Sequence, residues 1–374
     1  MATTRKSLIE ARIESQIRSI SMVFERVWFS LIHQPERGVR DVKTALDQEA
    51  IADSRDAESF VDLSVTVGGV TFKNPVMPAS GCFGPELADL LPLSELGAVV
   101  TKTVFAERRA GNPAHRLTET RFGMLNSVGI PSPGSRAFID GPLRAYQAAG
   151  TNLVVSIGGL FTDEYYLIAE ALAAEELDAF EVNVSCPNLE HGGLAIGTSP
   201  ELLFEVVENI RRRTDRPLFV KLTPSVSEIG PVARAAEDAG AAAVIVANSF
   251  PGLAIDLRSR TSVLGNGAGG YTGPAVKPMA LKLVHDAATA VSIPVIGCGG
   301  ITSAEDVAEF LVAGATATQI GTATFTRPTA MIDAIDDLAA LLPRLGAARV
   351  TDLIGTLDET GALDETGAVE VLSA

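Results

Sequence analysis

Six consecutive residues, Asn183-Val184-Ser185-Cys186-Pro187-Asn188, place two amides, a hydroxyl and a thiol directly after the apolar run Ala179-Phe180-Glu181-Val182. A thiol is a strong intrinsic nucleophile and a usable proton acceptor near neutral pH. An amide both donates and accepts hydrogen bonds. A strand that ends this way is suited to holding a small polar ligand and moving a proton on it. Lys102 and Lys221 follow two further apolar runs, Val99-Val100-Thr101 and Leu218-Phe219-Val220. A single lysine at a strand exit is read first as snorkelling to water. Two on one rim give fixed positive charge facing an anionic ligand or an electron-rich ring.

The elements that position these residues follow a repeating beat of apolar strand, polar loop and amphipathic helix. The expected strands are 75–79, 98–102, 152–157, 179–184, 218–222, 242–247, 294–298 and 317–321, most of them continuous Val/Ile/Leu/Ala runs typical of parallel strands buried on both faces. Helices are expected at 200–213, 228–239, 276–290, 304–312 and 329–342. Eight strands alternating with helices predict a (β/α)8 TIM barrel rather than a doubly wound sheet. A barrel collects its chemistry at the C-terminal strand ends. In order these carry Ser80-Gly81, Lys102-Thr103, Ser156, Asn183 to Asn188, Lys221, Asn248-Ser249, Gly299-Gly300 and Gly321-Thr322. The loops after strands seven and eight are the usual phosphate seat of such a barrel, and a helix beginning at Ser303 would add its dipole. Glycines there point to a phosphate-bearing cofactor such as FMN.

Composition narrows the class. The chain has 374 residues, 47% of them hydrophobic, and a formal charge of −16. That acidity argues against a nucleic-acid partner, because phosphate binding needs a basic face. Three widely separated cysteines, Cys82, Cys186 and Cys298, do not make a disulfide framework and suit a reducing cytoplasm. None are spaced as a zinc or iron–sulfur motif, so no metal is expected on this chain. Of the histidines, His33, His115, His191 and His285, His191 alone is near enough in sequence to pair with Cys186, which makes hydrolytic dyad chemistry a minor reading.

Residues 1–60 read as a helical extension, 61–345 as the barrel and 346–374 as an acidic tail. In the extension Ile9, Ile13, Ile17, Ile20, Phe24, Val27 and Leu31 form a helical stripe, and the first 40 residues hold seven basic residues against four glutamates. The stripe packs on the protein's own body or a second copy, or lies on an anionic membrane surface; the first is the commoner fate. No signal peptide and no run of about 20 uncharged apolar residues is present. The tail repeats Leu-Asp-Glu-Thr-Gly-Ala at 357–362 and 363–368, and no function is read from it.

Several motifs in fixed order resemble the dihydroorotate dehydrogenases. They are Asn74-Pro-Val-Met-Pro-Ala-Ser-Gly, Val99-Val-Thr-Lys-Thr-Val, Gly111-Asn-Pro and Gly123-Met-Leu-Asn-Ser-Val-Gly-Ile, followed by Asn183-Val-Ser-Cys-Pro-Asn, His191-Gly-Gly, Val220-Lys-Leu-Thr-Pro and Gly297-Cys-Gly-Gly-Ile. The resemblance spans about residues 60–345 and is nearest the catalytic subunit of the two-subunit, NAD-linked class 1B. It implies an FMN-containing barrel that oxidises (S)-dihydroorotate to orotate in pyrimidine (UMP) biosynthesis. It further implies a partner subunit carrying FAD and a two-iron, two-sulfur cluster that passes electrons to NAD, a homo-oligomer, and a cytoplasmic location. Peripheral membrane contact through residues 9–31, with quinone as acceptor, is the alternative.

By the same resemblance Cys186 would be the base for the C5 proton, with the flavin accepting the C6 hydride and Lys102 lying between substrate and flavin. Asn126, Asn183, Asn188 and Asn248 would surround the substrate with Val128 and Ser249, and the N–H groups of Gly129 and Ile130 would hold its carboxylate. Lys221 would sit near the flavin ring and stabilise its reduced, anionic form. Ala79, Ser80, Gly81, Thr103, Ser156, Thr272, Gly273, Cys298, Gly299, Gly300, Gly321 and Thr322 would complete the cofactor site, together with Asn183 and Lys102. Four positions depart from the family pattern: Cys82 stands for threonine, Ser156 for asparagine and Pro131-Ser132 for Gln-Asn. The competing readings are a flavin-dependent dihydropyrimidine oxidoreductase acting on uncarboxylated rings, and a barrel without catalysis that serves as an assembly module.

Overall fold

The structure, a computed structural model, describes residues 61–185 and 193–358. The extension with its stripe at 9–31, the residues Cys186 and Asn188, and the second copy of the tail repeat lie outside the described residues.

All eight expected strands form: β1 (Val76–Pro78), β2 (Ala98–Val100), β3 (Asn152–Ile157), β4 (Ala179–Asn183), β5 (Leu218–Lys221), β6 (Ala243–Val246), β7 (Val295–Cys298) and β8 (Ala315–Ile320). From β2 to β8 each strand pairs in parallel with the next in chain order, and β8 returns to β1 with Thr318 opposite Val76. The Gly97 N–H donates to Val76 O at 2.9 Å and joins β2 to β1, closing the ring. All eight strands consist mainly of buried residues, as parallel strands covered on both faces require.

The helices lie outside the ring: α1 (Thr162–Ala171), α2 (Pro200–Arg211), α3 (Ile229–Asp238), α4 (Lys277–Ala290), α5 (Ala304–Val312) and α6 (Ala330–Arg344). In α2 the residues Leu203, Val206, Val207 and Ile210 are buried at helical spacing, Pro200 sits in the first turn, and Ser199 Oγ accepts from the Leu202 N–H at 3.3 Å. Between α6 and the end of the described chain, residues return to the barrel. Val350 N–H donates to Asp62 O, Gly355 N–H to Leu311 O and Leu357 N–H to Val312 O, at 2.8, 2.9 and 3.2 Å.

Two short hairpins, Val65–Val67 with Val70–Phe72 and Ile255–Asp256 with Thr261–Ser262, and one larger sheet have no counterpart among the expected strands. Four antiparallel strands, in the order Phe250–Gly252, Gly269–Thr272, Gly123–Asn126 and Leu117–Thr120, form a second sheet. Its segments are insertions after β2 and β6, so the sheet stands at the C-terminal rim, where the polar strand ends emerge. No helix among the described residues is long and apolar enough to cross a membrane.

Candidate active site

The rim and the second sheet enclose a cavity of about 1230 Å³, open mouth included. The described site residues expected from sequence line it: Ala79, Ser80, Gly81, Lys102, Thr103, Asn183, Lys221, Thr272, Gly273, Cys298, Gly299, Gly300, Gly321 and Thr322, with Asn126, Val128, Gly129, Ile130, Asn248 and Ser249. Leu117, Met124, Tyr271, Ile301 and Phe325 line it as well and were not expected, since three of them arrive on the second sheet and the others on the loops after β7 and β8.

Ser156 is a correction. It is fully buried and does not line the cavity, because β3 continues to Ile157 and turns the Ser156 side chain into the barrel below the rim. It donates to Glu181 Oε1 and pairs with Thr103 Oγ1, each at 2.9 Å.

The cavity floor carries the charge. Lys221, the last residue of β5, is 3% exposed and donates to Gln319 Oε1 at 2.8 Å. Burial is the largest single influence and pulls the lysine pKa down, but the nearby Glu181 carboxylate, with smaller contributions from Cys298 and Cys82, holds the value above its ordinary range. Lys102 is half-buried, and burial lowers its pKa. Burial also pushes the Cys82 thiol up to about 11 and raises that of Cys298, so both remain protonated at neutral pH. Neither is placed as a reactive thiolate.

The amides are fixed before any ligand arrives. Asn183 Nδ2 donates to Thr103 Oγ1 at 3.0 Å, and its Oδ1 accepts from Ser185 Oγ at 2.9 Å. Asn248 Nδ2 donates to the same Ser185 Oγ at 2.8 Å, while Asn248 Oδ1 accepts the Ser249 N–H at 2.7 Å. Asn126 donates to Gly270 O at 3.2 Å across the second sheet. Beside them Gly129 and Ile130 have φ of +71° and +43°. A left-handed β-branched residue costs about 1–3 kcal/mol and is kept where function fixes the backbone. Ser132, one of the departures from the family pattern, ties this loop to the segment after β2. Its Oγ accepts the N–H groups of Phe105 and Gly134 at 3.1 and 3.2 Å.

The loops after β7 and β8 make a glycine-lined cradle suited to a phosphate. Gly300 has φ of +79°, and a Cβ there would lie 2.7 Å from Lys277 N and 2.9 Å from Lys277 Cα. The N-terminus of α5 lies where the sequence places it, with Ser303 as its cap. Thr302 N–H and Ser303 N–H both donate to Asp306 Oδ2, at 2.7 and 3.2 Å, so the helix offers its dipole while the glycine backbones face the cavity. Burial raises the Asp306 pKa, but Lys277, at 2.6 Å, and the Thr302 hydrogen bonds outweigh it and keep the carboxylate ionised. Two ammonium groups beside a glycine-lined cradle fit a phosphate-bearing ring cofactor. Gly300→Ala is expected to leave the barrel folded and to raise the Kd for FMN, the cofactor expected from sequence, by about 5- to 150-fold, through roughly 1–3 kcal/mol of strain. A fluorescence-quenching titration with FMN measures this, and an unchanged Kd would remove Gly300 from the cradle.

Among the described residues no group of three or more His, Cys, Asp or Glu side chains is placed to hold a metal ion. Comparison with known proteins gives one consistent answer. The profile of the family described as "Dihydroorotate dehydrogenase" matches residues 62–342. The catalytic subunit of dihydroorotate dehydrogenase B (NAD(+)) from Geotalea uraniireducens is 45% identical over 299 residues, covering 79% of this chain and 98% of that protein. Its counterpart from Halalkalibacterium halodurans is 42% identical over 296 residues, 78% of this chain and 97% of its own. A Solibacter usitatus protein, provisionally named dihydroorotate dehydrogenase A (fumarate), is 46% identical over 298 residues, with coverages of 79% and 98%.

Proposed function

This chain belongs to the dihydroorotate dehydrogenase family, and from that premise we propose that its rim cavity oxidises (S)-dihydroorotate to orotate in pyrimidine (UMP) biosynthesis. The observation that carries the reading is the convergence of two lysines, three asparagine amides and a glycine cradle on one cavity.

In this reading Cys186 takes the C5 proton, the C6 hydrogen leaves with its electron pair, and the ring gains a C5=C6 double bond. FMN, when bound, supplies the acceptor for that electron pair. Asn126, Asn183, Asn188 and Asn248 hold the N–H and C=O edges of the ring, which need donors and acceptors together. Ser249 adds a hydroxyl, and the strained Gly129–Ile130 backbone directs N–H groups to the carboxylate. Lys102 and Lys221 supply positive charge on the cofactor side, where the ring becomes electron-rich. Gly299, Gly300, Gly321 and Thr322 receive the phosphate, and Ser80, Gly81, Thr103, Thr272 and Gly273 close around the ring.

The same proposal covers organisation and partners. The relatives named as catalytic subunits of an NAD(+)-linked enzyme support an electron-transfer subunit with NAD as final acceptor, and the motif resemblance adds FAD and an iron–sulfur cluster on that partner. The fumarate-linked name of one relative supports direct reoxidation by fumarate as a second reading. A cytoplasmic location accords with the separated, unpaired Cys82 and Cys298. The chain divides into the extension 1–60, the barrel and the acidic end, and the hydrogen bonds at 350–357 support carrying the barrel to about residue 357.

Anaerobic mixing of the purified yellow protein with dihydroorotate is expected to bleach the flavin's visible absorbance, and uncarboxylated dihydropyrimidines are expected not to. Fumarate added afterwards restores the colour if fumarate is the acceptor. NAD+ restores it only with the partner subunit present. Protein that stays yellow with dihydroorotate would overturn the substrate, and colourless protein would point to the non-catalytic barrel.

A further inference from the structure

Below the cavity lies a carboxylate that takes no part in the chemistry proposed for the rim. Glu181, in the middle of β4, is fully buried inside the barrel and does not line the cavity. Two hydrogen-bonded arms end on it. In one, Lys221 Nζ donates to Gln319 Oε1 and Gln319 Nε2 donates to Glu181 Oε2, both at 2.8 Å. An ammonium only donates and a carboxylate only accepts, so the Gln319 amide has one permitted orientation between them. In the other arm, Ser156 Oγ donates to Glu181 Oε1 at 2.9 Å. That leaves Ser156 to accept from Thr103 Oγ1 at 2.9 Å, and Thr103 to accept from Asn183 Nδ2 at 3.0 Å. Every donor in both arms points toward Glu181.

We propose that Glu181 is the positioning residue of this site: through Gln319 it holds Lys221 as a fixed cation at the cavity floor, and through Ser156 and Thr103 it fixes the direction of the Asn183 amide. The proposal rests on the flavin and dihydroorotate reading only for what Lys221 and Asn183 then do. A buried lysine without a compensating charge loses its proton readily, because burial disfavours the charged form. The groups facing Lys221 are Glu181 from β4, Gln319 from β8, Cys298 from β7 and Cys82 from the loop after β1. Lys102 faces the same cavity from the loop after β2. Both thiols are neutral at ordinary pH, so Glu181 is the standing anion of this group. It acts without touching the ligands, as an ordering charge set behind the wall.

The test is Glu181→Gln, which keeps the shape and removes the charge, its amide oxygen accepting from only one of the two arms. In the full-length chain with isotopically labelled lysine, the Lys221 resonance, assigned by its loss in Lys221→Met, is titrated with and without FMN. The Lys221 midpoint is expected to fall by about 2 pH units or more in Glu181→Gln. It is expected to stay near the native value in Glu181→Asp, which restores the charge. The sign follows from the depressed value: the variant keeps the cation at low pH and loses it as pH rises. The ratio of its flavin-reduction rate to the native rate should therefore be near one at low pH and fall through the new midpoint, the ionisation of Cys186 being common to both. A merely structural glutamate would lower the rate at every pH and leave the midpoint in place. An unmoved Lys221 midpoint in Glu181→Gln overturns the proposal. If that variant does not fold, Gln319→Met severs the same arm and must move the midpoint in the same direction; no movement overturns the proposal equally. Failure of the native protein to bleach with dihydroorotate would instead sink the substrate reading, and the lysine titration would still decide the role of Glu181.

Discussion

Cys186→Ala is expected to retain bound FMN and to slow flavin reduction by dihydroorotate by about 10²–10⁴-fold, the usual contribution of a positioned general base. The proton at C5 has to leave as the hydrogen at C6 departs with its electron pair. Alanine offers no acceptor at that place. The cofactor should stay, because the cradle at Gly299, Gly300, Gly321 and Thr322 and the lysine at the floor belong to other strands. Residual turnover would come from the asparagines and lysines, which still orient the ring and receive charge. Anaerobic rapid mixing, with bound flavin quantified beforehand, separates the two effects. Cys186→Ser keeps a side chain of similar size with a far weaker proton acceptor, so it should resemble alanine near neutral pH. A native rate in either variant would take the thiol out of the chemistry.

Lys221→Met carries the second large effect, and it has two readouts. Lys221 is 3% exposed and Glu181 fully buried, so the pair is unscreened by solvent. Removing one partner leaves a carboxylate uncompensated in the barrel, which typically costs about 3–5 kcal/mol. The lower end, about 3 kcal/mol, is expected because Gln319 and Ser156 still donate to Glu181. Urea unfolding of the variant measures this. Lys221→Met with Glu181→Gln removes both charges and should recover most of the loss, since a buried pair replaced together is often near neutral. Flavin reduction should not recover with it. Both variants lack the cation beside the ring and should reduce about 10²–10³-fold more slowly, the scale of one lost electrostatic contact at a developing charge. A single variant as stable as the native chain would show that Glu181 does not depend on Lys221.

The sequence by itself determined the barrel and most of its rim. Runs such as Ala243–Val246 and Leu218-Phe219-Val220 are continuous in apolar residues, the pattern of parallel strands buried on both faces, and their short length with helical stretches between them favours strands. Because strands in such a barrel all point one way, the residue after each run is necessarily on one rim. Lys102, Asn248 and the glycines at 299, 300 and 321 were therefore assignable from order along the chain.

Tertiary structure decided three other things. The second sheet pairs segments far apart in sequence, Gly123–Asn126 with Gly269–Thr272, and its strands are short and glycine-rich, so they lack the alternation that marks a strand. Ser156 moved from wall to support because strand length, set by pairing with β4, determines which face a side chain takes. Glu181 and Gln319 were visible only as polar residues inside apolar runs. Their alignment into one hydrogen-bonded line with Lys221 exists because β4, β5 and β8 turn those side chains into the same barrel interior. That convergence depends on ring closure between β1 and β2, a long-range contact that no local pattern encodes.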